Sequence, residues 1–302
     1  MALFTVANAF TLLGLATFAL YLRRFASFIH IYYFHSTTIQ RYLMDADTYA
    51  LITGASAGLG KELAVDLYDR GFNVVIHGPD SEKLEQVRQE LQSRSALKRD
   101  VVCWAADCVS SDQWDFSRLT KLKITAVFLN AGGSPVKFTP VDKQSEDDIS
   151  ATVRLNALFP LSLMRALLPQ FRASRLPILV VAIGSVASTY PPPFLAAYAA
   201  SKAFLAQSMH GMSVDERFLD PSADMTFHYM HISELSLTKD TSFRSPSPQA
   251  MARYIIAVIG CGHREVVPYI GHVPDASSLS FLGEKRADAI IERVMEKHFF
   301  KK

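Results

Sequence analysis

YALITGASAGLGKEL, residues 49 to 63, sets four residues of strand character in front of a threonine, three glycines and the start of an amphipathic stretch. Glycine at 54, 58 and 60 lets the chain turn tightly and lets backbone amides approach a pyrophosphate. The N-terminus of the helix expected over GKELAVDLYDRG supplies further oriented N–H groups. The spacing is T-G-x-x-x-G-x-G rather than G-x-G-x-x-G, so the glycines signify less than their setting, strand before and helix after. That setting favours a dinucleotide site built on Thr53, Gly54, Gly58 and Gly60.

Outward from this turn, short apolar runs alternate with helical patterns. YALIT (49–53), NVVIH (73–77), VVCWAA (101–106), ITAVFLN (124–130), ILVVAIGS (178–185), MTFHYMHI (225–232) and EVVPYI (265–270) read as strands. Their apolar character is continuous rather than alternating, which predicts burial on both faces of a parallel sheet. Stretches such as SEKLEQVRQELQSR between them are long enough for crossover helices. The expected fold class is α/β, a Rossmann-like doubly wound parallel sheet. RSPSPQAMARYI (244–255) reads as a loop entering a late helix, with Pro248 near its start.

The chain has 302 residues, 49% hydrophobic, enough for a substantial core, and a formal net charge of +2. No basic excess argues for nucleic acid. Three cysteines in no paired spacing give neither a zinc site nor a disulfide framework, and Cys103 and Cys108 read as small hydrophobic residues flanking a strand end. The first 22 residues, MALFTVANAFTLLGLATFALYL, carry no charge and meet Arg23 and Arg24 at once. About 21 helical residues span roughly 31 Å, close to a hydrocarbon core of about 30 Å. A cleaved signal peptide is the rival reading, but a basic n-region is missing. The organisation expected is therefore a transmembrane anchor over 1–24, a membrane-proximal linker over 25–45 and a catalytic domain over 46–302. Arginines following the span predict a cytosolic body.

The end of the second strand normally chooses between nicotinamide cofactors, an acid for NAD and a base for NADP. Here it reads IHGPD (76–80), and neither Gly78 nor Pro79 decides. Asp80 could approach a ribose or serve a turn; His77 could reach a phosphate or be satisfied locally. Asp107, after the third strand, is placed to accept from an adenine amino group or to cap a turn.

Tyr198 and Lys202, in FLAAYAASKAF (194–204), stand i, i+4 on one helix face. A phenol of pKa about 10 needs its anion stabilised before it can move protons at neutral pH, and a cation about 4 Å away is worth roughly 4 kcal/mol, or about 3 pKa units. The spacing fits equally a polar stripe on a packed helix. Ser185, at the end of the fifth strand, opens into the crevice where such folds bind ligands and can hold a carbonyl oxygen, or it can cap a turn.

TGASAGLG (53–60), LNAGG (129–133), Asn156 in VRLNALFP, Ser185 and YAASK (198–202) occur in the order and spacing of one family. From Tyr49 to about Val273 the sequence resembles the short-chain dehydrogenases/reductases. The resemblance implies Tyr198 as general acid/base, Ser185 positioning the carbonyl, Lys202 lowering the Tyr198 pKa and binding the nicotinamide ribose, and Asn156 holding a relay water. It implies cofactor contacts from Thr53, Gly54, Ser56, Gly58, Leu59, Gly60, Asp107, Asn130, Tyr198, Lys202 and Thr238, with Asn130 bracing the sheet. Within the family the chain looks like the membrane-anchored branch of 3-oxoacyl-CoA reductases and 17β-hydroxysteroid dehydrogenases, which implies the endoplasmic reticulum and NADP(H) in preference to NAD(H). Pro79 stands where that branch places a phosphate-binding arginine, and Ser233 and Glu234 replace its proline and glycine.

The expected function is an NAD(P)(H)-dependent oxidoreductase interconverting carbonyl and hydroxyl on a small lipophilic substrate, a 3-oxoacyl, sterol or polyketide-like compound. TYPPPFLAAY (189–198) offers apolar walls for it. No metal site and no nucleic-acid partner are expected, and a homodimer is a candidate assembly. A non-catalytic nucleotide- or lipid-binding scaffold of the same fold is the alternative.

Overall fold

The computed structural model describes residues 2–94, 98–110, 113–136, 138–236, 240–275 and 284–299. Seven strands, β1 Tyr49–Ile52, β2 Asn73–Gly78, β3 Val101–Ala105, β4 Ile124–Leu129, β5 Ile178–Ile183, β6 Met225–Met230 and β7 Glu265–Val266, form one parallel sheet in the order β3-β2-β1-β4-β5-β6-β7. Because strand side chains alternate, each strand feeds two cores. Ala50, Ile52, Val74, Ile76, Ala126 and Phe128 meet helices α2 Gly58–Asp69, α3 Ser81–Arg94 and α7 Pro248–Ala257 on one face. Leu51, Val75, Val127, Leu129, Val180 and Ala182 meet α5 Phe159–Ser174 and α6 Ala196–Leu219 on the other. Both faces are dry, as the continuous apolar runs predict.

β7 is shorter than the run EVVPYI suggests. Only Glu265 and Val266 pair, with Tyr229 and Met230, and the ladder stops before Pro268, which has no N–H to donate. Pro248 opens α7, with the Ser247 hydroxyl accepting the Ala250 N–H at 3.2 Å.

Helix α4, Glu146–Val153, starts on a capping box in which the Ser145 hydroxyl accepts the Asp148 N–H at 3.1 Å. It runs into α5 through one wide π turn, Arg154–Leu158. Its i→i−5 bond runs from the Phe159 N–H to the Arg154 carbonyl, and Pro160, which has no N–H for the Asn156 carbonyl, follows at once.

The N-terminal helix α1, Ala2–Ile29, continues past Arg23 and Arg24 and ends in a π turn, His30–Phe34. Residues Val6–Phe34 are long and apolar enough to cross a membrane; the qualifying 18-residue window has a mean hydropathy of 1.4 and none of that window is buried, while the end of the span touches the body through Ser27, Ile31 and Tyr32. The stretch expected to be a linker, 25–45, is partly this helix and partly core. Ile39 is 0% exposed and Tyr42 1%. The Thr37 hydroxyl donates to the Ile256 carbonyl at 2.5 Å, and the Thr125 hydroxyl donates to the Tyr42 carbonyl at 2.5 Å. This segment thus passes below β6 and β4 and enters β1 as part of the fold. A last helix, α8 Glu284–Phe299, closes the described chain.

Candidate active site

Strand order reverses at β1, which has β2 on one side and β4 on the other, so a crevice opens at the carboxyl ends of β1 and β4. Its floor is the glycine turn. Gly54 and Gly58 have φ of +67° and +57°, which residues with a Cβ adopt only at a cost. A Cβ on Gly60 would stand 2.1 Å from the Gly54 carbonyl oxygen, so only glycine lets α2 approach β1 this closely. The N-cap of α2 is Ala57, which has no side-chain acceptor for the first amides of the helix. A Cβ at Gly58 would meet no atom within 4 Å, so open space lies over these amides. Free N–H groups at a helix N-terminus beside open space fit the pyrophosphate of a dinucleotide.

Thr53 and Asn130 lock the turn to the sheet. The Thr53 hydroxyl accepts the amides of Asn130 and Ala131, both at 2.9 Å, and the Asn130 Nδ2 donates to the carbonyls of Thr53 (2.9 Å) and Gly54 (3.1 Å). Both side chains are engaged in bracing β1 to β4, the role the resemblance implies for Asn130. Ser56 Oγ lies beside the end of β2, 3.1 Å from where a Gly78 Cβ would be.

At the ends of β2 and β3 the polar side chains make local bonds. His77 does not reach toward a phosphate. It is 1% exposed and packs between Trp104 and Phe159, with ring centres at 4.5 and 5.0 Å. Burial pushes its pKa down to about 4, and its Nδ1 accepts the Gly54 N–H at 3.3 Å. Asp80 caps α3, accepting the amides of Glu82 and Lys83, both at 3.0 Å, and pairing with the Lys83 ammonium at 3.2 Å. It is therefore not free for a ribose. Asp107 is exposed and accepts from the Val109 amide (2.7 Å) and the Ser110 hydroxyl (2.5 Å); these bonds hold its pKa below the usual carboxylate value. Cys108 behaves as a buried hydrophobe, its thiol pushed up to about 12 by desolvation.

Asn156, Ser185, Tyr198 and Lys202 converge where β4 and β5 end. Ser185 follows β5 and caps a short 3-10 turn, its Oγ accepting the Ala187 N–H at 3.1 Å. Tyr198 lies in the first turn of α6, half-buried, with Ser185 in hydrogen-bond reach of its phenol. Lys202 lies one helical turn on, 3% exposed; its Nζ donates to the Ile183 carbonyl at 2.9 Å and stands 5.9 Å from the Tyr198 ring centre. Asn156, 0% exposed, sits in the π turn. Its Nδ2 donates to Gly133 O (2.7 Å) and Thr152 O (2.8 Å), and its Oδ1 accepts the Gly133 N–H at 3.0 Å. A Cβ on Gly132 would meet Lys202 Nζ at 2.8 Å and Asn156 Oδ1 at 2.9 Å, so both atoms crowd the same point of the β4 loop.

The electrostatics differ from the sequence expectation that Lys202 acidifies the phenol. Burial raises the Tyr198 pKa, with only the Ser185 hydrogen bond opposing it, and burial lowers Lys202 to about 8. The ammonium points at Ile183 O rather than under the phenol oxygen, so desolvation of each group outweighs their mutual attraction.

Two supporting residues carry no signature in the sequence. Tyr229 on β6 is 1% exposed; its hydroxyl accepts the Ser185 N–H at 3.2 Å and donates to the Lys202 carbonyl at 3.0 Å, tying together the two segments that carry the site. His272, 0% exposed, accepts the Ser233 N–H at 3.2 Å and bonds the Arg244 carbonyl at 3.0 Å, pinning the loop after β6. The apolar run of β6 marks Tyr229 as a buried strand residue, but not what its hydroxyl meets. Thr238 lies outside the described residues. Among the described residues no group of three or more His, Cys, Asp or Glu side chains could hold a metal ion.

The family model described as short chain dehydrogenase matches residues 48–217. The very-long-chain 3-oxoacyl-CoA reductase of Kluyveromyces lactis is 30% identical over 247 residues, covering 77% of this chain and 71% of that protein. The protein of the same name from Neurospora crassa is 31% identical over 229 residues, covering 73% and 67%. Among solved structures, a 7beta-hydroxysteroid dehydrogenase matches with a TM-score of 0.70 at 16% identity, covering 83% of this chain and 98% of that one. A short-chain dehydrogenase from Sphingobium yanoikuyae in complex with NADPH matches with a TM-score of 0.64 at 20% identity, covering 78% and 92%. At these identities the structural likenesses speak to the fold.

Proposed function

The chain belongs to the short-chain dehydrogenase/reductase family and is an oxidoreductase, and from that premise we propose that it is a membrane-anchored, NADP(H)-dependent reductase of 3-oxoacyl thioesters. The observation that carries the proposal is the convergence of Ser185, Tyr198, Lys202 and Asn156 at the crevice edge, above a glycine turn with free helix amides. The names of the sequence relatives support the substrate class.

The amides of Ser56, Gly58, Leu59 and Gly60 would hold the pyrophosphate on the turn that Gly54 makes, with Asp107 and Asn130 on the adenosine side and Lys202 and Thr238 on the nicotinamide side. NADPH, when bound, supplies the hydride. Ser185 and Tyr198 hold the substrate carbonyl oxygen between their hydroxyls, and Tyr198 gives its proton to that oxygen as it becomes an alkoxide. Lys202, protonated at neutral pH with its pKa of about 8, lies one turn away and stabilises the phenolate left behind. Asn156 keeps its side chain on Gly133 and Thr152. Its carbonyl, which Pro160 cannot satisfy, would then hold the relay water. NADP(H) is preferred because no free carboxylate stands at the end of β2: Asp80 is bound to α3 and Lys83. Helix α1 would hold the enzyme in the endoplasmic reticulum membrane, with Arg23 and Arg24 and the body in the cytosol.

The test is reduction of a 3-oxoacyl-CoA by the reconstituted full chain with NADPH and with NADH. Tyr198→Phe is expected to lower kcat by about 10²–10⁴-fold while leaving nucleotide affinity in place. Turnover that survives this change, or equal use of NADH, would remove the acid role or the cofactor preference respectively.

A further inference from the structure

Helix α1 does not leave the body at random. Ser27 Oγ contacts His263 Nε2 at 2.9 Å, and the Tyr32 hydroxyl donates to the Val267 carbonyl at 2.6 Å. The residues that follow the helix meet the body where α7 ends: His35 Nε2 contacts the Ile259 carbonyl at 2.9 Å, the Thr38 N–H donates to the same carbonyl at 3.1 Å, and the Thr37 hydroxyl donates to the Ile256 carbonyl. Because α7 runs back across the sheet and ends ahead of β7, the chain leaving the anchor joins the body at the amino ends of the strands, away from the crevice. A membrane holding the anchor faces that amino edge.

The same edge carries, among the described residues, the most exposed large apolar side chain of the body. Phe218, 87% exposed, and Leu219, 60% exposed, end α6 just before the turn into β6. Leu219 borders a depression shared with Phe171, Arg175, Leu176 and Asp224, and Asp224 pairs with Arg41, seven residues after the anchor's last π turn. The tip is therefore tied to the chain that emerges from the anchor. Its charged neighbours balance: Arg172 pairs with Glu216, Arg175 with Asp220 and Arg41 with Asp224, while Arg217, whose Nε donates to the Ser213 carbonyl, is offset by Asp215 two residues earlier. Balanced charge around two protruding apolar side chains suits insertion among lipid headgroups of any charge, rather than attraction to an acidic partner.

We propose that Phe218 and Leu219 form a second membrane contact, a wedge that enters the lipid interface beside α1 and fixes the tilt of the body on the bilayer. The inference rests on reading α1 as a membrane anchor. The test is fluorescence quenching by brominated phosphatidylcholine in liposomes of the full chain. Phe218→Trp is compared with Phe243→Trp, an exposed site on the loop after β6 at the crevice edge, and with Phe10→Trp inside α1; the signal of Trp104 and Trp114 in the parent is subtracted. The expected result is loss of fluorescence at 10 and 218, not at 243, in zwitterionic and anionic liposomes alike. Quenching at 10 with none at 218 overturns the wedge and leaves the anchor standing; quenching at neither removes the anchor as well. A Trp at 218 shielded from aqueous iodide but untouched by bromolipid would mean that a protein covers the tip, and the proposal falls.

Discussion

Lys202 is the most costly residue of the site. Its pKa is about 8 in the fold against 10.5 unfolded, so the unfolded chain binds more protons between those values. Stability from this group therefore rises with pH across that window, and the cost, roughly 3 kcal/mol, is complete below pH 8. Lys202→Met removes that cost but leaves the Ile183 carbonyl without its donor, worth about 1–3 kcal/mol. The variant is expected to melt at or above the parent at pH 7 and below it near pH 10.5, with turnover lost; a lower melting point at both pH values would refute the burial cost. His77 shows the same logic with a base near neutrality. Its pKa of about 4 against 6.5 means that the unfolded chain takes up the extra proton first, so stability drops as pH falls from 6.5 to 4. His77→Phe should flatten urea-unfolding midpoints between pH 7 and 4.5 and weaken nucleotide binding, because the Gly54 amide loses its acceptor. An unchanged slope would show that another group causes the acid loss. Ser185, Tyr198 and Lys202 were legible as candidates because they stand at a strand end or on one helix face, whereas Asn156, in a π turn, came only from the family resemblance. The roles of His77, Asp80 and Tyr229 were not, since what a buried polar atom meets is decided by strands far away in sequence.

At the scale of elements, the strand pattern was legible because a parallel sheet buries both faces and writes that as unbroken apolar runs. The ends were less so: β7 stops at Val266 because of Pro268, and the π turn that carries Asn156 leaves no mark in the residue pattern. The junction of β1 and α2 is the least forgiving of these elements. At Gly60 an added methyl group would meet backbone, the Gly54 carbonyl at 2.1 Å, and also the Asn130 Nδ2 at 2.5 Å. Relief requires α2 to move off β1, which breaks the bonds from Asn130 to Thr53 and Gly54. Gly60→Ala should therefore cost at least about 1–3 kcal/mol, the range for overpacking, and abolish detectable NADPH binding. Calorimetric titration of the folded variant checks this; binding at parental affinity would mean that the turn can relax around a methyl group.

For the whole molecule, the sequence suggests a clean division into anchor, linker and domain, and packing argues for a different one. A charge-free run followed by two arginines marks a span well, but says nothing about how soon the chain rejoins the core. Ile39 and Tyr42 are fully buried beneath the sheet, and the Ala46 carbonyl accepts from Asn73 Nδ2 at 2.7 Å. Burying two large side chains contributes about 3–6 kcal/mol, a large share of the roughly 5–15 kcal/mol that holds a domain together. A chain shortened to begin at residue 25 keeps these contacts and those of Tyr32, and is expected to fold, to bind NADPH and to leave the membrane fraction. One shortened to begin at residue 46 should lose its cooperative melting transition and aggregate, although it retains the whole glycine turn and all four residues of the site. Equal melting temperatures for the two would show that the segment from Ser36 to Asp45 only decorates the fold and that the domain begins where the strand pattern does.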